Sequence, residues 1–120
     1  MPYDFLSDKP IFLQIAEIIK NQIVSGELKA GDRLKSVREY SAEFVANPNT
    51  VQKALQQLEQ EGLIFTDRTN GKFVADDKIL ILKTKNKEIN SKVAKFISEM
   101  QAFGYDKKEI VSIINNWENN

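Results

Sequence analysis

The 120-residue sequence contains no cysteine and no histidine. These two absences exclude disulfides, thiolate nucleophiles and the usual zinc site, and they remove the commonest general base near neutral pH. Neither of the common glycine-rich phosphate loops is present. We therefore expect a protein that is not an enzyme and that uses no cofactor and no metal ion.

The sequence also lacks a long hydrophobic run. No segment approaches the roughly 18 apolar residues that a membrane-spanning helix needs. The first ten residues do not show the basic-then-apolar order of a secretory signal. These features predict a cytoplasmic protein without a membrane partner.

There is no excess of charge of either sign, since 17 basic residues balance 17 acidic ones. Residues 1–77 carry nine cations and twelve acids, and residues 78–120 carry eight cations and five acids. Binding to nucleic acid would therefore depend on where the cations lie and not on net charge. Six of the first nine lie in or beside the elements described next: Arg33, Lys35, Arg38, Lys53, Arg68 and Lys72. No acid occurs between residues 47 and 58.

The order of elements predicted for residues 10–74 is typical of a winged helix-turn-helix. Apolar residues at helical spacing predict a first helix from Pro10 to about Ser25. Ser36, followed three residues later by Glu39, has the spacing of a capping box and begins a second helix. Asn47-Pro48 begins a third helix that runs to about residue 61.

A β-hairpin, the wing, is predicted after the third helix. Residues 63–65 and 72–74 have the composition of short strands, and the Asn70-Gly71 pair between them is a strong hairpin signal. In this fold the third helix enters the major groove of DNA. The outward residues of that helix are Asn49, Gln52 and Lys53, which are types that bond to base edges and phosphates.

Residues 78–120 predict a helical tail. Residues 79–82 form a short apolar run that fits either a strand or the start of a helix. Apolar residues from Glu88 onward predict one helix that ends at Gly104, and Asp106 with Glu109 predicts the start of a second. These two helices cannot bury their apolar stripes alone, so they must pack on the winged domain, on a second copy, or on both.

Of these, we favour a second copy, so the tail is interpreted as the homodimer interface. The residues assigned to it are Val93, Phe96, Ile97, Met100, Ile110, Ile114 and Trp117. The complete prediction is a mainly α protein, with a winged helix-turn-helix DNA-binding domain in residues 1–77 and a two-helix α-hairpin in residues 78–120.

The sequence resembles the bacterial GntR-type transcription regulators over roughly residues 10–75. The resemblance is carried by an ordered set of motifs: Pro10-Ile11-Phe12-Leu13-Gln14-Ile15, Ser25-Gly26-Glu27-Leu28, Gly31-Asp32-Arg33-Leu34, Ser36-Val37-Arg38-Glu39, Asn47-Pro48-Asn49-Thr50-Val51, Leu58-Glu59-Gln60-Glu61-Gly62-Leu63 and Gly71-Lys72-Phe73-Val74. The short two-helix tail is similar to that of the YtrA-type branch.

This resemblance implies a set of DNA-contacting residues. They are Ser36 and Arg38 at the start of the second helix, Asn47, Asn49, Thr50, Gln52 and Lys53 in and before the third, and Asn70, Gly71 and Lys72 in the wing. Three positions depart from the family pattern. Lys35 replaces the usual proline and would add a phosphate contact, Val45 replaces the usual turn glycine, and Ser41 replaces the common alanine.

The resemblance further implies a homodimeric repressor of a transporter-type operon that binds a two-fold operator in double-stranded DNA. Two other functions fit the sequence. One is a ligand-responsive sensor with a pocket for an unknown small-molecule effector at the tail. The other is a winged-helix protein-interaction module that binds no DNA, which the net acidity of residues 1–77 leaves open.

Overall fold

The structure is a computed structural model that describes residues 3–118. The elements, in chain order, are α1 (Ile11–Val24), α2 (Val37–Phe44), α3 (Pro48–Gln60), β1 (Ile64–Asp67), β2 (Gly71–Val74), α4 (Lys78–Ala102) and α5 (Lys107–Asn116). This order confirms the mainly α fold, with a winged helix-turn-helix followed by two tail helices. No helix in the described part of the chain is long and apolar enough to cross a membrane.

The described chain divides into two compact units, one ending at Thr84 and the other beginning at Lys85. The core of the first unit lies between α1 and α3. Ile15, Ile19 and Ile23 line the inner face of α1 and are almost completely buried. On α3 the corresponding buried residues are Val51, Ala54, Leu55 and Leu58. Tyr40 and Phe44 of α2 complete this core.

The helix starts follow from local hydrogen bonds. Ser36 and Glu39 form a complete capping box at α2, and Asp106 and Glu109 form another at α5. At α3 the Asn47 side chain accepts a hydrogen bond from the next turn, and Pro48 occupies the first helical position. Each cap satisfies backbone N–H groups that have no partner within the helix.

The wing has backbone hydrogen bonds on a second edge that the sequence did not predict. Strands β1 and β2 are antiparallel, with Ile64 opposite Val74. Residues 31–34, which the sequence analysis assigned to no helix or strand, lie along the other edge of β2. Arg33 pairs with Phe73 there, and the Leu34 N–H donates to the Lys72 carbonyl at 2.9 Å. The first strand begins at Ile64 and not at Leu63, because the Leu63 N–H bonds back to Leu58 and closes α3.

Helix α4 begins ten residues earlier than the helical pattern from Glu88 indicated, so the apolar run at residues 79–82 is the start of a helix and not a strand. The Asp77 carboxylate explains this start, because it accepts a hydrogen bond from the Leu80 N–H at 3.1 Å. At the other end, Trp117 was expected on the stripe of the last helix. It lies just beyond α5 in an extended conformation.

The turn between α2 and α3 depends on a strained residue. Val45 has φ 51° and ψ 51°, which is the left-handed conformation that the usual glycine would adopt freely. A branched side chain disfavours this conformation. Val45 is 78% exposed, so burial of its side chain contributes little free energy to offset the strain. The Ser41 hydroxyl donates to the Ala46 carbonyl and ties the turn to α2.

We expect the Val45→Gly substitution to raise the free energy of unfolding by about 0.5–1 kcal/mol. Glycine relieves a left-handed penalty of roughly 1–2 kcal/mol, and its greater freedom in the unfolded chain offsets part of the gain. Urea denaturation of the wild type and the variant measures the difference. Val45→Ala is the matched control, since it keeps the Cβ and should gain less. A Val45→Gly protein no more stable than the wild type would contradict the strain.

Candidate nucleic-acid interface

Burial fixes which side of α3 faces away from the core. Since Val51, Ala54, Leu55 and Leu58 are buried, the opposite side of the helix points outward. Asn49, Gln52 and Lys53, predicted from the sequence as the outward face, are all exposed. Gln56 is also exposed, one turn after Gln52, and was missed by the sequence analysis. Its spacing of four residues from Gln52 was the signal that could have found it.

The cap of α3 leaves part of Asn47 available. Its side-chain oxygen accepts a hydrogen bond from the Asn49 N–H at 2.7 Å. The side-chain NH₂ group is a donor and takes no part in this bond. Asn47 is exposed and Thr50 is half-buried beside it. An exposed NH₂ group at a helix start, where the backbone N–H groups also point outward, suits a phosphate oxygen.

The start of α2 is capped by Ser36 and Glu39. Ser36 Oγ accepts from the Glu39 N–H at 3.1 Å, and the Glu39 carboxylate accepts from the Ser36 N–H at 2.9 Å. The pKa of Glu39 lies below its ordinary value, first because the Ser36 N–H donates to its carboxylate and second because the Ser36 side chain also hydrogen-bonds to it. The Ser36 hydroxyl is thus engaged with Glu39, and a hydrogen bond from it to DNA would take the place of this contact.

Arg38 is exposed in the first turn of α2, two residues after Ser36. Among residues 3–118 its side chain forms no hydrogen bond or ion pair. A guanidinium group offers a rigid fork of donors that fits the two acceptors of a guanine or the oxygens of a phosphate. The structure therefore presents Arg38 in a form that can bind DNA without first breaking an internal contact.

The predicted lysines have a different environment. Lys35 pairs with Glu43, and this hydrogen bond is the first cause of a raised Lys35 pKa and a lowered Glu43 pKa. Lys53 Nζ lies 4.7 Å from the centre of the Phe12 ring, a cation–π contact. The ammonium groups of both lysines therefore already have partners within the protein.

Lys72 in the wing is also engaged. Its Nζ donates to Thr66 Oγ1 at 2.7 Å and lies 3.3 Å from the Glu59 carboxylate. The Thr66 hydroxyl in turn donates to Glu59 at 2.9 Å. This three-residue network joins the last turns of α3 to both strands of the wing, and it borders a groove between Gln52 and Gln56 of α3 and the wing.

The wing turn is held by Asp67. Its carboxylate accepts from the Thr69 N–H at 2.9 Å and from the Asn70 N–H at 3.2 Å, and these bonds lower its pKa. Gly71 follows with φ +104°, a conformation that side chains rarely adopt. Asn70 is exposed and Gly71 is half-buried, so the predicted wing residues lie together at the start of β2.

These elements bring the predicted residues onto the exposed parts of one compact unit. The start of α2, the outer face of α3 and the wing turn supply hydrogen-bond donors and acceptors for an anionic, groove-bearing partner. The arrangement is that of a winged helix-turn-helix DNA-binding protein.

The family follows from comparison with known proteins. Residues 12–74 match the model of the bacterial regulatory proteins of the gntR family. The chain belongs to this family, and it is a DNA-binding transcription regulator and not an enzyme.

Three similar proteins extend the match into the tail. YhcF, an uncharacterised HTH-type transcriptional regulator of Bacillus subtilis (strain 168), is 36% identical over 92% of this chain and 92% of its own. The transcriptional repressor YtrA of the same strain is 34% identical over 87% of this chain and 81% of its own. A GntR family regulator from Listeria monocytogenes has a solved structure with a TM-score of 0.88 and 38% identity, covering 95% of this chain and 100% of that one.

The match to YtrA confirms the YtrA-type assignment. A DNA-bound structure also resembles the winged unit. The AraR DNA-binding domain, solved in complex with the operator ORX1, has a TM-score of 0.58 and 25% identity, covering 62% of this chain and 95% of that one. The winged-helix module that binds no DNA is thereby set aside for this chain.

We expect the Arg38→Ala substitution to reduce affinity for the specific operator by about 1–3 kcal/mol per subunit, the value of one good bidentate base contact. Thermal stability should stay close to that of the wild type, because Arg38 is exposed and unpaired among the described residues.

The measurement is fluorescence anisotropy on an operator that the wild-type protein selects from random duplex DNA. The Lys83→Ala variant, which removes one exposed cation from α4, is the control and should bind as the wild type does. Retained operator affinity in Arg38→Ala would show that Arg38 does not read DNA.

Proposed function

We propose that the protein is a homodimeric repressor that binds a two-fold operator, with the tail as the dimer interface. The observation that carries the dimer is the exposure of the tail's apolar side chains. The winged unit supplies the DNA-binding surface, and the tail would hold two such surfaces at a fixed spacing.

The second unit, residues 85–118, keeps most of its apolar side chains at the surface. Val93 is 48% exposed, Phe96 is 40% exposed and Ile114 is 53% exposed. Ile97 and Met100 are half-buried, and Trp117 is 68% exposed beyond α5. A run of exposed apolar groups on one segment is typical of a protein–protein interface.

Ile110 differs from the other proposed interface residues. It is 2% exposed, and it is the one buried side chain among residues 85–118. We therefore expect Ile110 to support the position of α5 from within the unit and not to touch a partner directly. A unit of this size with one buried side chain has too small a core to be stable alone, which supports burial of the stripe against a second copy.

A two-fold dimer fits the way in which such regulators read DNA. Each α3 would enter a major groove on the same face of the duplex, so half-sites should be about 10 base pairs apart, centre to centre. The operator would then be an inverted repeat. Two linked winged units also bind more tightly than one, because the second contact is made at high effective concentration.

Repression is supported by similarity to proteins that are named transcriptional repressors, including YtrA. The YtrA-type resemblance supports a transporter-type operon as the target and the bacterial cytoplasm as the location. A bound dimer would hinder polymerase at a promoter that overlaps the operator. An effector that acts at the tail stays a prediction.

We expect the Phe96→Asp substitution to convert the dimer into monomers, because it places a charge in the centre of the apolar stripe. Affinity for the full operator should fall by about 100-fold or more, while affinity for a single half-site should be unchanged. Sedimentation and anisotropy on full and half operators measure the two effects. Ser98→Asp is the control, since it adds the same charge to the same helix at an exposed polar position. A Phe96→Asp protein that still sediments as a dimer would refute this interface.

Repression is tested separately by transcription in vitro from a promoter that overlaps the operator. The wild-type protein should reduce transcript yield in proportion to operator occupancy, and the Arg38→Ala variant at the same concentration should not. Increased transcript yield with the wild-type protein would show that the protein activates.

A further inference from the structure

We propose that Arg33 makes a DNA phosphate contact at the tip of the wing, and that Lys72 braces the wing instead of binding DNA. The resemblance to the family implies a wing contact from Lys72, with Asn70 and Gly71, and it does not include Arg33. The proposal deepens the DNA-binding function and does not depend on the dimer.

The backbone at Arg33 is fixed beside the wing. Arg33 pairs with Phe73 of β2, and two hydrogen bonds flank the pair. The Leu34 N–H donates to the Lys72 carbonyl at 2.9 Å, and the Val74 N–H donates to the Asp32 carbonyl at 2.8 Å. The backbone at Arg33 therefore bonds to the edge of β2 as a third strand of the wing would, although Arg33 precedes β2 by 38 positions in the sequence.

The Arg33 side chain runs across Gly71 at the wing turn. A Cβ placed on Gly71 would lie 3.5 Å from both Nε and Nη2 of Arg33. The glycine thus leaves space through which the guanidinium group reaches the tip of the wing. This gives Gly71 a role beyond its positive φ, since a side chain there would pack directly against the guanidinium group.

The charge of Arg33 is available, whereas that of Lys72 is not. Arg33 is exposed and forms no ion pair or side-chain hydrogen bond with another residue among 3–118. The Lys72 side chain is only 24% exposed and is held by Thr66 and Glu59. Thr66 and Glu59 engage two of the three ammonium protons of Lys72, and a phosphate bound to the third would meet repulsion from the Glu59 carboxylate 3.3 Å from the same Nζ. Arginine also offers the forked donor geometry that phosphate oxygens accept.

Arg33 also connects the wing to the start of α2. The pKa of Glu39 in the α2 cap is lowered chiefly by its hydrogen bonds from Ser36, and the positive charges of Lys35 and Arg33 contribute to the same shift. Since Arg33 precedes Ser36 by three residues and its guanidinium group lies beside Gly71, it extends the surface at the start of α2 toward the wing turn.

The test measures how operator affinity depends on salt for four proteins: wild type, Arg33→Ala, Arg33→Lys and Lys72→Met. Each phosphate contact adds about 0.9 to the slope of log K against log salt. We expect Arg33→Ala to lower this slope by about one per subunit, and to weaken binding to operator and scrambled DNA alike, by about tenfold near physiological salt. Arg33→Lys should restore most of the slope.

Lys72→Met removes the charge and keeps most of the side-chain stem. It should keep the wild-type slope and lower the melting temperature, because the network with Thr66 and Glu59 is lost. Lys29→Ala is the control for loss of one positive charge, since Lys29 is exposed in the segment that precedes Arg33. It should change neither the slope nor the melting temperature.

Two results would overturn the assignment. One is a wild-type slope in Arg33→Ala, which would show that Arg33 touches no phosphate. The other is a slope that falls by about one per subunit in Lys72→Met, which would return the wing contact to Lys72. If neither the wild type nor any variant bound the operator more tightly than scrambled DNA, the DNA-binding function itself would be refuted. This outcome is distinct from the other two.

Discussion

The packing of α1 on α3 fixes the direction of every α3 side chain proposed to contact DNA. Val51, Leu55 and Leu58 are buried against the inner face of α1. Burial of a side chain of this size contributes about 1.5–3 kcal/mol. Rotation of α3 to another face would expose these residues and bury Gln52 or Lys53, so the helix has one favourable orientation. The remaining parts of the interface, the α2 cap and the wing, are placed by contacts to this same core.

A second constraint is the distribution of charge. The chain has no net charge, yet its cations are not equivalent. Two of the lysines near the interface, Lys35 and Lys72, are paired with Glu43 and Glu59. The exposed arginines Arg33 and Arg38 have no such pair among the described residues. Acidic residues in the winged unit therefore occupy lysines and leave arginines to meet DNA, which explains how a neutral chain can keep a local DNA-binding surface.

Local sequence signals predicted the parts of the fold that local physics determines. The capping boxes at Ser36 and Asp106, the Asn47-Pro48 start and the buried spacing of α3 depend on residues within one or two turns. The Val45 turn also kept the left-handed conformation of the usual glycine, because the neighbouring helices and the Ser41 hydroxyl hold it. The early start of α4 depends on the Asp77 cap. The apolar pattern that begins at Glu88 carries no information about this cap.

Contacts between distant parts of the chain were not predictable in this way. The Lys72–Glu59 pair joins residues 13 positions apart, and the Tyr3–Glu43 hydrogen bond joins residues 40 positions apart. Neither pair carries a periodic or motif signal. For the same reason the sequence assigned the wing contact to Lys72 and left out Arg33, although tertiary contacts engage Lys72 within the protein. The position of Trp117 beyond α5 likewise reflects where the helix ends, which a pattern of apolar residues specifies poorly.

The most direct test of the account is the binding of the purified protein to the DNA upstream of its own gene, with scrambled DNA of equal length as the control. The measurement is made at two salt concentrations. If the winged unit reads an operator, the protein should bind the upstream DNA specifically. This binding should weaken steeply as salt rises, since phosphate contacts release counterions. Equal and weak binding to both DNAs would contradict the claim that this surface reads an operator.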